Sequence, residues 1–232
     1  MDFHPHSNYH EAYQALAPNH PVVYAPGNLT GTHCYKTAVF PVVGYGSPFF
    51  VDERADECRE SELLIAIRQR LLAGYGLLDT SIVAQPRITI IHRSDYRGRI
   101  NDKRLLEDLQ KAYGKDSAQL VSFEKLTFRK QLELIRATNI LIGVHGAGMT
   151  HLLWLPRGSA VIELFTQKAP RHYRNLAHWL GLTYVGLSCA LHSGPDPVKF
   201  MFTLDGLVKT IQANWKSHMR GTSATYKQMK GP

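Results

Sequence analysis

Long apolar runs are missing from this chain of 232 residues. Nothing in it approaches the roughly eighteen consecutive apolar residues that a membrane helix requires. Residues 1–10 are polar and carry no apolar signal core, so these residues alone lead one to expect neither a membrane anchor nor a targeting signal. Cysteine is scarce as well. Cys34, Cys58 and Cys189 lie too far apart for a zinc knuckle, and an odd count leaves at least one unpaired within the chain. Buried free thiols suit them as well as a disulfide does. There is no internal repeat, no low-complexity tract, and no block of Arg and Lys interleaved with aromatics such as tracks a nucleic-acid strand.

What is present is an ordinary globular composition, with 44% apolar and 20% charged residues. The length suits one main domain with an appended arm. Lys and Arg number 27 against 19 Asp and Glu, a formal charge of +8, and there are 12 histidines. A polyanionic partner follows from that balance. Because the basic residues are scattered, a small phosphorylated ligand fits as well as nucleic acid; a basic nucleic-acid module is kept as a rival that a steep salt dependence would reveal. Asn28-Leu29-Thr30 is a sequon for N-glycosylation at Asn28, relevant only in a lumenal chain.

Residues 1–48 are rich in Pro, Gly, His and Tyr and read as an irregular arm, which we extend to residue 60. Ser61 is a candidate N-cap for a helix whose stripe is Leu64, Ile67, Arg68, Leu71 and Leu72, stopped by Gly74 and Gly76. After Pro86 short apolar strands alternate with amphipathic helices, the pattern of a parallel sheet with helices on both faces. The expected strands are 88–91, 119–123, 140–144, 160–165 and 183–187; the expected helices are 102–113, 128–138, one opening near Thr150, 172–180 and 204–218. This makes residues 61–220 a Rossmann-like α/β unit, with a frayed tail over 221–232.

Ligands of such sheets bind beyond the carboxyl ends of the strands. After the strand 140–144 comes His145-Gly146-Ala147-Gly148-Met149-Thr150-His151, whose small residues let backbone N–H groups approach an anion. The dinucleotide fingerprint G-x-G-x-x-G begins at Gly146 and Gly148 but is not completed at His151. After the strand 88–91 comes His92-Arg93-Ser94-Asp95-Tyr96-Arg97-Gly98-Arg99-Ile100-Asn101, where three guanidiniums offer planar donor forks to phosphate oxygens. Glu163 interrupts the apolar run Val161-Ile162-Glu163-Leu164-Phe165; a carboxylate there needs an answering donor, either ribose hydroxyls or a structural ion pair with an arginine. His151, His172 and His178 have no carboxylate or cysteine at metal-ligand spacing and read as structural.

His145 to Leu153, followed by Leu155-Pro156 and Val161-Ile162-Glu163-Leu164, resembles the signature of glycosyltransferase family 61. Arg93, Tyr96-Arg97 and Ile100-Asn101 resemble that family's Arg-rich loop, in a compressed spacing that leaves Arg97 and Arg99 as alternatives. Cys34 and the segment Tyr35 to Pro41 are similar to the stretch leading into the family's transferase domain. The resemblance implies a GT-B architecture of two lobes, whose carboxy-terminal lobe holds a UDP-sugar while the other presents the acceptor. It implies inverting transfer, with N-acetylglucosamine the expected sugar, to a hydroxyl of a secreted or membrane protein or glycan in the endoplasmic reticulum or Golgi lumen. No metal and no permanently bound cofactor is implied. Donor-binding residues by this reading are Arg93, Arg97, Asn101, His145, Gly146, Ala147, Gly148 and Glu163. His145 is the one candidate for the catalytic base, and the same position suits a phosphate or sugar-hydroxyl contact. Most of an amino-terminal lobe is not represented in these residues, so a non-catalytic nucleotide-sugar-binding remnant or a truncated gene model is the alternative expectation.

Overall fold

Runs of branched and apolar residues form the centre of the sheet. The structure, a computed structural model, describes residues 10–16, 19, 60–78, 86–93, 100–167, 172–190 and 194–229, with side chains described as far as 213. β1 (Ile88–Ile91) and β3 (Ile140–Val144) are buried at every position, and β4 (Ala160–Phe165) is buried through Leu164. Strands covered on both faces must be apolar throughout, which is how parallel sheets beneath two layers of helix read. β2 (Ala118–Val121) and β5 (Thr183–Ala190) lie further out and are partly exposed. The parallel order is β2-β1-β3-β4-β5, and β6 (Gly194–Pro195) adds a short antiparallel edge against β5.

Alternate residues of each strand enter different cores. On one face Ile88, Ile90, Ile140 and Ile142 pack with Leu105 and Leu109 of α3 (Asp102–Tyr113) and with Phe200 and Leu204 of α6 (Pro197–Met229). On the other, Leu141 and Val161 pack with Ile135 of α4 (Phe128–Arg136), Leu152 of a 310 helix over Ala147–Trp154, and Leu176 of α5 (His172–Trp179). Each fully buried Leu or Ile contributes about 1.5 to 3 kcal/mol relative to exposure. A third, smaller cluster joins Leu71, Leu72 and Tyr75 to Phe128 and Leu132, attaching α2 (Glu62–Gly74) to α4.

Several expectations need correction. A helix, α1 (His10–Leu16), stands within the stretch read as irregular, and Ala12 is buried where α1 packs on α2; seven residues are too few to announce a helix by periodicity. Ser61 does cap α2, accepting from the Leu64 amide, but Ile67 is 43% exposed and leaves the predicted stripe. Arg68 belongs to the buried side because its guanidinium donates to the Leu155 carbonyl. The expected strand 119–123 ends at Val121, since Phe123–Lys125 turns as a 310 helix. The helix expected near Thr150 begins at Ala147, directly after Gly146 breaks the strand direction. The closing helix starts at Pro197, where the Asp196 side chain caps the Lys199 amide, and the backbone stays helical to Met229 where fraying was expected.

The strand order fixes where a ligand can lie. From β1 the chain passes to β2 on one side and returns to β3 on the other, so the connections leaving β1 and β3 part in opposite directions. Such a switch point is where an open parallel sheet is expected to hold its ligand, in a crevice at the carboxyl ends of those two strands.

Candidate functional site

Arg93 and His145 are the residues that β1 and β3 deliver to the crevice. The two strands pair in parallel, with Ile90 opposite Ile142, so the chain emerges from both at the same level. Arg93 Nη1 donates to the His145 carbonyl at 2.7 Å. That crossing requires glycine at 146. A Cβ on Gly146 would sit 2.3 Å from Arg93 Nη1, and its backbone, at φ 155° and ψ 177°, lies where side chains are rarely accommodated.

Beyond Gly146 the chain winds into the 310 helix with its carbonyls already engaged. Gly146 O accepts from the Met149 amide at 2.9 Å and Ala147 O from the Thr150 hydroxyl at 2.7 Å. Gly148 O lies 2.8 Å from Nδ1 of His151, whose ring stacks on Phe123 and meets Gln131 Oε1 through Nε2. Burial holds the His151 pKa below the usual histidine range. Among the described residues, the amides of Ala147 and Gly148 have no acceptor. First-turn amides of this kind, beside a guanidinium, favour an anion.

Behind the loop lies a chain of three polar side chains. His145 Nδ1 is 2.5 Å from Glu163 Oε1, and the Tyr184 hydroxyl donates to Glu163 Oε2 at 2.5 Å. Glu163 has no exposed side-chain surface, whereas His145 is 22% exposed. Burial raises the Glu163 pKa, and the bonds from Tyr184 and His145 work against that rise. The imidazole of His145 is packed by Phe165, His172 and Tyr173 at centroid distances of 5.7, 5.4 and 5.5 Å. Burial, then the negative charge of Glu163, pushes the Tyr173 hydroxyl up to about 12. Burial and neighbouring His145 lower the His172 pKa.

The opposite wall is more open. His92 Nδ1 lies 2.5 Å from Asp102 Oδ2 at the start of α3, with 33% and 15% of the side chains exposed. Asn101 is the N-cap of that helix, its Oδ1 accepting from the Arg104 amide at 3.1 Å.

Of the residues singled out in the sequence, the structure therefore brings together Arg93, His145, Gly146, Ala147 and Gly148. Glu163 lies beside them, bonded to His145 and Tyr184, so its partner within the protein is a histidine where an arginine was the alternative. Asn101 caps α3 through its Oδ1. Arg97, its alternative Arg99, Asn28, Cys34 and Cys58 lie outside the described residues. Cys189 is a free thiol among the described residues. Tyr184 and the His92–Asp102 pair were missed by sequence reasoning. Nothing in a β-strand run marks Tyr184 as the partner of Glu163, 21 positions earlier; only the pairing of β4 with β5 reveals it.

Among the described residues, no three His, Cys, Asp or Glu gather to hold a metal ion, and no helix is long and apolar enough to cross a membrane.

Comparison with known proteins agrees with the motif at this crevice. The family described as Glycosyltransferase 61 matches residues 9–162. The chain is similar to the EGF domain-specific O-linked N-acetylglucosamine transferase of Drosophila melanogaster, with 35% identity over 159 residues that cover 65% of this chain and 29% of the relative. The Pan troglodytes and Mus musculus proteins of the same name are 35% and 34% identical over 159 residues, covering 66% of this chain and 30% of each relative. The chain thus spans about three tenths of the length of the curated relatives it matches. With its glycine loop, its crossing arginine and a family match over residues 9–162, the chain belongs to glycosyltransferase family 61.

Proposed function

We propose that this chain is the donor-binding lobe of a GT-B type glycosyltransferase. By this reading it holds a UDP-sugar, with N-acetylglucosamine as the sugar, and transfers it with inversion to a hydroxyl of a protein or glycan acceptor in the lumen of the endoplasmic reticulum or Golgi. The observation that carries the reading is Arg93 lying across Gly146 onto the His145 carbonyl, at the switch point and beside the amides of Ala147 and Gly148. The relatives' name supports the choice of sugar.

Inverting transfer needs positive or donor groups where the nucleotide diphosphate departs and a base on the opposite side of the anomeric carbon. Arg93 and the loop amides supply the first. His145 adjoins them, so we assign it to the leaving diphosphate; the base that takes the acceptor proton belongs on the far side of the sugar ring. Protein cations and amides, with no divalent metal, carry the diphosphate charge in this scheme.

Titration calorimetry with UDP tests the reading. Arg93→Ala weakens affinity by about 1 to 3 kcal/mol, the loss of one charge-assisted contact. Unchanged affinity removes Arg93 from the site, and absence of UDP binding to the unaltered chain removes the nucleotide assignment. UDP binding without sugar transfer keeps the donor lobe and drops the transferase activity of this chain by itself.

A further inference from the structure

His145, which follows β3 and keeps 22% of its side chain exposed, is not an isolated histidine. Glu163 lies in register between Gly143 of β3 and Gly186 of β5, and Gly186 leaves room beside it on β5. Into that space comes Tyr184, whose hydroxyl takes one carboxylate oxygen, while His145 Nδ1 meets the other. With Nδ1 committed inward, Nε2 is the ring nitrogen left to address a ligand.

We propose that Glu163 and Tyr184 are positioning residues that set the protonation of His145, so that a nucleoside diphosphate binds together with one proton. The inference rests on the nucleotide-sugar reading and adds to it a proton stoichiometry and two residues with assigned roles.

The proton balance follows from the hydrogen bonds. When Glu163 is ionised and His145 neutral, the Nδ1–H donates to Oε1 and Nε2 presents a lone pair, which repels a phosphate oxygen. Adding one proton from buffer gives the pair one shared proton between Nδ1 and Oε1 and an N–H at Nε2, whether the pair is written as imidazolium and carboxylate or as imidazole and carboxylic acid. That N–H donates to the diphosphate. The bound anion thus favours the protonated pair, and by linkage its affinity falls as pH rises above the pair's own titration. Tyr184 donates to Glu163 only while Oε2 can accept, so it holds the carboxylate ready to release the proton when the anion leaves.

Other charged or titratable groups meet the same imidazole and none replaces Glu163. Arg93, after β1, bonds the backbone carbonyl of residue 145. His172 and Tyr173 of α5 pack against the ring, and burial keeps His172 toward its neutral form and Tyr173 protonated.

Calorimetry of UDP binding to the full 232-residue chain, repeated in buffers of different ionisation enthalpy between about pH 6 and 9, counts the protons. The expected result is uptake approaching one proton at the alkaline end. Glu163→Gln, which keeps the shape, abolishes the uptake and weakens UDP about tenfold or more. Tyr184→Phe removes the donor that stabilises the carboxylate, so the pair keeps its proton longer and the uptake window moves to higher pH. Nitrogen-15 shifts of the His145 imidazole in the ligand-free protein report the same pair without nucleotide, and Glu163→Gln must change them. UDP binding with no proton exchange at any pH, or uptake unchanged in Glu163→Gln, overturns the proposal while leaving the nucleotide site standing. A ligand-free His145 that titrates independently of residue 163 overturns it whether or not UDP binds. Absence of UDP binding to the unaltered chain overturns the reading beneath it.

Discussion

Two histidines at the carboxyl edge of the sheet make the same contact in opposite surroundings. His92 and His145 each hold a carboxylate oxygen 2.5 Å from Nδ1. Asp102, at the start of α3, is 15% exposed beside a histidine that is 33% exposed. Glu163 is in mid-strand with no exposed side-chain surface and a second bond from Tyr184. Attraction in the first pair is weakened by water and salt, whereas Glu163 in the second cannot be removed without taking a fully buried acceptor from both His145 and Tyr184. An equal distance therefore conceals unequal consequences, and the inner pair is the one tied to the glycine loop.

The sharpest way to break this comparison is Glu163→Ala. It deletes a buried acceptor of two hydrogen bonds, and the expected loss of unfolding free energy is about 3 to 5 kcal/mol, read by urea denaturation. A loss as small as that of a surface pair would mean that water reaches His145 and Tyr184 readily, and the distinction between the walls would vanish.

The sheet was largely legible because its central strands are buried on both faces and so carry unbroken apolar runs: 140–144 was anticipated residue for residue, as was 160–165. The glycine loop and Arg93 were legible for a related reason, since they directly follow such runs and a parallel sheet places strand ends together. Glu163 was conspicuous as a charge among apolar residues, yet its partner was misjudged. Burial cost announces that a carboxylate must be answered and says nothing of which distant strand supplies the donor. His92 and Asp102 looked like loop and helix-start residues. Their meeting depends on how α3 turns back over the end of β1, a tertiary fact that no local pattern encodes.

Gly146→Ala is expected to act next most strongly, because it strikes the link between Arg93 and the inner wall. The added Cβ meets Arg93 Nη1 at 2.3 Å in a backbone conformation that favours glycine, for a cost of about 1 to 3 kcal/mol. UDP affinity falls to the level of Arg93→Ala, and combining the two substitutions adds little further, since both displace the same guanidinium. Imidazole resonances sharpen the comparison: His145 shifts while His92 keeps its position. Equal shifts at both histidines would mean that the two walls move as one.

The outer pair supplies the smallest effect and the cleanest control. Asp102→Asn removes one charge at a partly exposed site, for an expected loss of about 1 kcal/mol or less, part of it from the favourable placement of an acid in the first turn of α3. Raising the salt to about 1 M shortens the screening length to about 3 Å and should erase most of that loss. The cost of Glu163→Ala arises from losing a buried acceptor of two hydrogen bonds and should persist at the same salt. If denaturation midpoints show both losses shrinking together, the inner pair is stabilised by screened Coulomb attraction, and burial is not what separates the two histidines.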